Sequence, residues 1–217
     1  MSQTIAAIGF KVHTGWATFV AMGRAVDSLK VSTRGRAELL PPDKSIPRFV
    51  YHEASQMSDA RAADLVARAV RASHACASTA ISDIIEDLRS NNIAVRTCAV
   101  ITGASEAKTG LGLEAILKSH ALIHASEGRL FRDAIVNASL ERALEVLALP
   151  ERDAWARAAT AWKCSEDALR GRIGALRATV GPPWGADEKA AAAAALVALF
   201  PKRGITSHRV GKEPICP

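Results

Sequence analysis

Ile8-Gly9-Phe10-Lys11-Val12-His13-Thr14-Gly15-Trp16-Ala17-Thr18-Phe19-Val20-Ala21-Met22-Gly23 is an apolar run, a polar knot and a second apolar run. The first run, Ile5 to Phe10, is short and bounded by a turn signal, the pattern of a buried strand. Thr14-Gly15 supplies the turn. Trp16 to Met22 is rich in β-formers and stops at Gly23, so it reads as a second strand. A third strand is expected from Ser28 to Leu40, after an Arg24-Ala25-Val26-Asp27 turn. The knot between the first two strands carries Lys11, His13 and Thr14 but no acid.

Beyond the third strand, Pro41 to Pro47 is a loop and Phe49-Val50-Tyr51-His52 a short extended piece. Ser58 reads as an N-cap with Asp59 in the first turn. From there to Ser90 neither Pro nor Gly occurs, and Leu65, Val66, Ala69, Val70, Ala77, Ile81, Ile84, Ile85 and Leu88 recur at helical spacing. This is one long helix, ended by Asn91-Asn92. Ile93 to Ile101 is β-branched and nearly all apolar, as a central parallel strand should be. A glycine-containing loop from Thr102 to Gly112 leads into a second helix, Leu113 to Leu144, and a strand at Val146 to Leu149 stopped by Pro150. A short helix covers Asp153 to Trp162. Ser165 caps another, with Glu166 and Asp167 in its first turn. Gly181-Pro182-Pro183-Trp184-Gly185 is a firm breaker, and a last helix runs from Asp187 to Phe200. The order is βββ-α-β-α-β-α with extra helices before the last one. Such alternation implies an α/β protein with a mixed five-stranded sheet and helices on both faces.

The 217 residues suit one domain over 1–200, with 151–184 as a helical insertion and 201–217 as a basic tail that is a candidate for disorder. Net charge is +6, and the tail holds half of it through Lys202, Arg203, Arg209 and Lys212 against Glu213. This balance permits a nucleic-acid partner without demanding one. Cys76, Cys98, Cys164 and Cys216 are scattered with no CxxC, which argues against a cysteine zinc site. Cys98, in an apolar run, reads as a core thiol. The start at Met1 shows neither a basic region nor a long apolar one, and no run approaches the roughly 18 apolar residues of a membrane span. A cytoplasmic protein without a membrane partner is expected.

Three stretches carry a resemblance. Glu151-Arg152-Asp153-Ala154-Trp155 follows the last strand; Cys164-Ser165-Glu166-Asp167-Ala168-Leu169 opens a basic helix; Asp187-Glu188-Lys189-Ala190 opens an Ala-rich final helix. Together they resemble the C-terminal half of RuvC-type Holliday-junction resolvases. Ile8-Gly9-Phe10-Lys11 with Thr14-Gly15-Trp16 resembles that family's Gly-Ile-Asp…Thr-Gly-Tyr strand and turn. The resemblance implies a ribonuclease H-like fold, a nucleic-acid partner, and a nuclease that holds Mg²⁺ or Mn²⁺ with carboxylates to stabilise an in-line phosphoryl displacement. A homodimer stays open. Two positions depart from the pattern. Lys11 stands where the first strand should give the central acid, and an ammonium cannot ligate a metal. Ala190 stands where the last helix should give a second acid. Glu114 matches the middle acid, so the candidate catalytic set is Lys11, Glu114, Asp187 and Glu188, with Glu114 and Asp187 as metal ligands.

His120, His124 and Glu127 lie at i, i+4 and i+7, in the same stripe as Leu113, Ile116, Leu117, Phe131 and Ile135. Polar groups in a buried stripe need partners. Three readings are open: a His-xxx-His transition-metal site with Glu127 as ligand or behind one, a hydrogen-bonded core network, or a binding site shared with Lys11, His13 and Thr14. If these groups converge, Lys11 needs a counter-charge, and Glu127 is the expected partner, ahead of Glu114 or Asp187. Lys11 reads equally as a phosphate-binding point charge or as a strand end that snorkels to solvent. The glycine loop suits phosphate at a helix N-terminus but lacks both the P-loop and GxGxxG patterns. Trp184 is either a packing residue or a stacking platform. Three functional classes follow: a RuvC-like nuclease, a non-catalytic nucleic-acid-binding or scaffold protein that kept the fold and lost the metals, and an actin-like kinase-type phosphate-binding domain.

Overall fold

A computed structural model describes residues 3–23, 28–103 and 110–200. The Arg24–Asp27 turn, the centre of the glycine loop and the basic tail lie outside the described residues. Three strands come first: β1 (Thr4–His13), β2 (Trp16–Gly23) and β3 (Lys30–Glu38). The helices α1 (Val50–Ala54) and α2 (Asp59–Ser90) precede β4 (Ile93–Thr102), and α3 (Leu113–Leu117) and α4 (His120–Glu141) precede β5 (Glu145–Pro150). The chain ends with α5 (Glu151–Ala161), α6 (Glu166–Ala175), α7 (Arg177–Val180) and α8 (Ala186–Leu199).

The strands form one five-stranded sheet in the order β3-β2-β1-β4-β5. β2 runs antiparallel to β1 and to β3, while β1, β4 and β5 are mutually parallel. Helices cover both faces. This is the expected mixed five-stranded sheet with helices on both faces, and the expected pairing of Ile5–Phe10 with Ile93–Ile101 is present. Gly15 takes a φ of +85° in the β1–β2 turn, a conformation that needs no Cβ, and its carbonyl accepts from Leu39 N at 2.9 Å.

Side chains alternate between the faces of a strand, and here the two faces differ in size as well as direction. Ile8 and Phe10 of β1, with Cys98 and Val100 of β4, enter one core with α1, α2 and α4. Ala7 of β1, with Ala99 and Ile101 of β4, enters the other with α5, α6 and α8. On the second face β1 and β4 turn the small Ala7, Gly9 and Ala99 toward α8, which answers with Ala191 to Ala195, all fully buried. The two backbones close to contact at Gly9, where a Cβ would lie 1.9 Å from Ala191 O. α8 runs against β1 in direction: Asp187 sits by His13 at one end, and Thr97 Oγ1 donates to Ala198 O at 2.9 Å at the other. Arg34 of β3 holds the segment before α8 by donating to the carbonyls of Val180 (2.7 Å) and Pro183 (2.6 Å).

Local structure departs from expectation at three places. Phe49 to His52, expected extended, is the N-terminal edge of α1, because Glu127 accepts from its first free amides. The expected helix from Leu113 to Leu144 breaks at Ser119, which is extended (φ −129°, ψ 113°). Trp184 is no stacking platform: it is buried and its Nε1 donates to Ile173 O at 2.7 Å. The Ser165 cap is as expected, its hydroxyl accepting from Ala168 N at 3.2 Å. Cys98 is a core thiol, its pKa pushed up to about 12 by burial. No helix among the described residues is long and apolar enough to cross a membrane.

The Gly9 contact is testable by contrast with an open glycine. Gly9→Ala meets backbone, which cannot rotate aside, and should cost about 3 kcal/mol or more in urea unfolding. Gly171→Ala, in α6 with nothing within 4 Å of its Cβ, should instead stabilise by about 0.5–1 kcal/mol.

Candidate functional site

Strand parity separates the groups singled out in the sequence. Lys11 and His13 are on the same face of β1 as Ala7 and Gly9, so they point toward the ends of α5 and α8. Lys11 is level with Ile101 of β4, which is level with Leu149 of β5. Glu151 opens α5 two residues beyond Leu149. Lys11 Nζ reaches over β4 to Glu151 Oε1 at 2.5 Å; the lysine is 17% exposed and the glutamate 56%. His13 Nε2 lies 2.9 Å from Asp187 Oδ2. That approach is out of line for a hydrogen bond, since the nitrogen has no bonded partner by angle, and it is an ion-pair contact when His13 is charged.

An aromatic-cationic stack extends this rim. The His13 ring lies 4.2 Å from Trp16 and nearly parallel, at 16°. Arg36 of β3 holds its guanidinium 4.2 Å from the same indole. Because β2 lies between β1 and β3, Trp16 sits between the His13 ring and the Arg36 guanidinium. Arg36 is also held by Glu38 at 2.5 Å. Arg48 Nε donates to Thr14 O at 3.1 Å, placing a further cation at the turn. This edge of the sheet thus carries Lys11, Arg36 and Arg48 beside the carboxylates of Glu151, Glu38 and Asp187, with the Trp16 indole held between His13 and Arg36.

The candidate acids are each engaged. Asp187 faces His13. Glu188 turns back on its own helix, its Oε2 accepting from Gly185 N at 2.7 Å. Glu114, fully exposed on α3, is tied to Lys118, whose hydrogen bond and charge hold its carboxyl below the usual range. α3 packs with α1 and α4, so Glu114 belongs to the helical layer opposite α8. Among the described residues, an ammonium on β1 and acids so occupied do not fit a two-metal carboxylate centre.

Lys11 therefore does not pair with Glu127. Glu127 is on α4, under the other face, and is 3% exposed. Its Oε1 accepts from Tyr51 N (2.7 Å) and His52 N (3.2 Å) and lies 3.3 Å from His52 Nδ1. The carboxylate satisfies two of the free amides that open α1 and meets the positive end of its dipole. Burial, with the Glu127 charge second, pushes the Tyr51 hydroxyl up to about 12. His120 and His124 point to the surface, with their Nε2 atoms 3.1 Å apart. His52 joins them, its ring centre 4.8 Å from that of His124. Sequence reasoning missed His52 because an extended Phe49–His52 segment gave it no helix to stand on. It missed Glu151 as the partner of Lys11 because strand register is not written in spacing.

No protein-family model matches the chain, and no curated protein matches it in sequence. Among solved structures, Thermus thermophilus RuvC is similar with a TM-score of 0.49 and 14% identity, over 90% of this chain and 93% of that one. T. thermophilus RuvC in complex with a Holliday junction substrate gives 0.47 and 15%, over 92% and 94%.

The two carboxylate contacts should separate in stability measurements. Lys11→Met releases a half-exposed glutamate and should cost about 1 kcal/mol or less. Glu127→Leu strands two buried amides and the His52 ring and should cost about 3 kcal/mol. Equal losses in chemical denaturation would contradict this arrangement.

Proposed function

We propose that the protein binds nucleic acid through the C-terminal edge of its sheet and does not cleave it. The observation that carries this reading is Lys11. It occupies the first-strand position that the sequence resemblance gives to the central metal-binding acid, and it holds a carboxylate instead of a metal. Glu151 is the more exposed partner of that pair and can swing into solvent. The ammonium is then free for a phosphate oxygen, for which lysine is a suitable point charge. Arg36, paired with the exposed Glu38, and Arg48 add guanidinium donors along the edge, and the Trp16 indole adds a flat surface beside Arg36. Cations interleaved with an aromatic are the makeup of surfaces that follow a phosphate backbone and tolerate any base. The net charge of +6 favours such encounters at long range.

A second reading, cleavage with Mg²⁺ or Mn²⁺, is favoured by Asp187 and Glu188 opening α8 at the same edge. One set of assays tests both. Fluorescence anisotropy with labelled four-way junction, duplex and single-stranded DNA should give binding that weakens with salt. Lys11→Gln should weaken binding and lower the salt slope by about one phosphate's worth. Glu151→Gln, by freeing Lys11, should strengthen it. Opposite signs for the two variants are not what loss of structure would give. The binding reading fails if none of these nucleic acids binds, or if both variants shift affinity in the same direction. Mg²⁺- or Mn²⁺-dependent cleavage that is lost in Asp187→Asn would establish the second reading in its place.

A further inference from the structure

We propose that His52, His120 and His124 form a transition-metal site, of the kind Zn²⁺ takes, with Glu127 as the residue that positions His52. One ring nitrogen from each of the three histidines lies within 4.8 Å of the others. Zn–N bonds of about 2.0–2.1 Å in tetrahedral geometry put ligand nitrogens about 3.3 Å apart. The His120 and His124 Nε2 atoms, at 3.1 Å, already meet that spacing. They belong to adjacent turns of α4, so the helix fixes the pair before any ion arrives. His52 comes from α1, and a small rotation of its half-buried ring closes the third edge.

Glu127 supplies the second, independent observation. An ionised carboxylate only accepts, so the 3.3 Å contact from His52 Nδ1 puts the proton on Nδ1 and the lone pair on Nε2. A carboxylate behind a histidine in this way is the common outer partner of a metal-bound imidazole; it sets the tautomer and raises ligand basicity. The same carboxylate is buried, and its Oε2 has no hydrogen-bond partner among the described residues. A buried anion so incompletely satisfied is costly on its own. A divalent cation one imidazole away would offset that cost. Phe49 sets its ring edge-on to His52 at 5.9 Å, which limits where that imidazole can turn.

The donor set selects the metal class. Three neutral imidazoles with no thiolate and no directly bound carboxylate suit Zn²⁺, Cu²⁺ or Ni²⁺ and not Mg²⁺ or Ca²⁺. Three protein ligands leave a fourth position for water or a ligand, and His120 and His124 are exposed, so that position faces solvent. The site lies on the helical layer opposite Lys11 and stands or falls independently of nucleic-acid binding at the sheet edge.

The test uses the untagged full chain. Titration with Co²⁺ should give one visible d–d band of tetrahedral type, saturating at one ion per chain and displaced by Zn²⁺. His120→Ala and His124→Ala should each abolish the band while circular dichroism stays unchanged, because both side chains are exposed. Glu127→Gln should keep the band but weaken Zn²⁺ binding 10–100-fold, the effect of losing an outer-shell carboxylate. His52→Asn should also abolish it. No band in the wild-type chain, or a band that persists in His120→Ala and His124→Ala, would overturn the site. Unchanged Zn²⁺ affinity in Glu127→Gln would overturn the role given to Glu127.

Discussion

The closest constraint in the molecule is the contact of two backbones, β1 at Gly9 and α8 at Ala191, where no Cβ fits. An alanine-rich helix lies this near a strand only if the strand turns its smallest residues toward it. Ala7, Gly9 and Ala99 do so, and the larger Ile8, Phe10 and Val100 are left for the opposite face. Once α8 is seated, its ends are fixed as well. Ala198 O takes a bond from Thr97 at one end of the sheet, and Asp187 meets His13 at the other. The side chains at the functional edge are therefore placed by a packing event some residues away from them.

Seating α8 on the small face also decides what the edge can do chemically. Lys11 and His13 continue the parity of Ala7 and Gly9, so they emerge toward α5 and α8 and find Glu151 and Asp187. The layer that carries Glu127 and the histidines lies behind the sheet. The molecule thus keeps two polar centres apart: a rim of ion-paired side chains with an indole at the strand ends, and an imidazole cluster backed by a buried carboxylate between α1 and α4.

Much of the fold was legible. The short apolar runs, the Ser165 cap, the unbroken helix from Asp59 and the alanine run each follow from local rules, and they are where expected. The assignment of helices to faces follows from strand order and handedness. β3, β4 and β5 run in parallel and step in one direction across the sheet. Right-handed crossovers then put α2 and α4 on one face together. That leaves the other face for α8, and separates Glu127 from Lys11. What spacing could not show was register, which sets Glu151 against Lys11. It also could not show α1, a five-residue helix that owes its start to a carboxylate from 75 residues further along the chain. Short helices of this kind are made by tertiary partners rather than by propensity.

A strand-end edge built on the Lys11–Glu151 ion pair should hold no divalent metal. Backbone amide NMR of the wild-type chain during a Mn²⁺ titration reads this directly, because a bound Mn²⁺ broadens nearby signals. The account predicts that the amides of Lys11, Val12, His13, Asp187 and Glu188 keep their intensity at sub-millimolar Mn²⁺. Selective early loss of those five signals, with the rest of the sheet unaffected, would show that the acids of α8 hold a metal beside β1 and would contradict it.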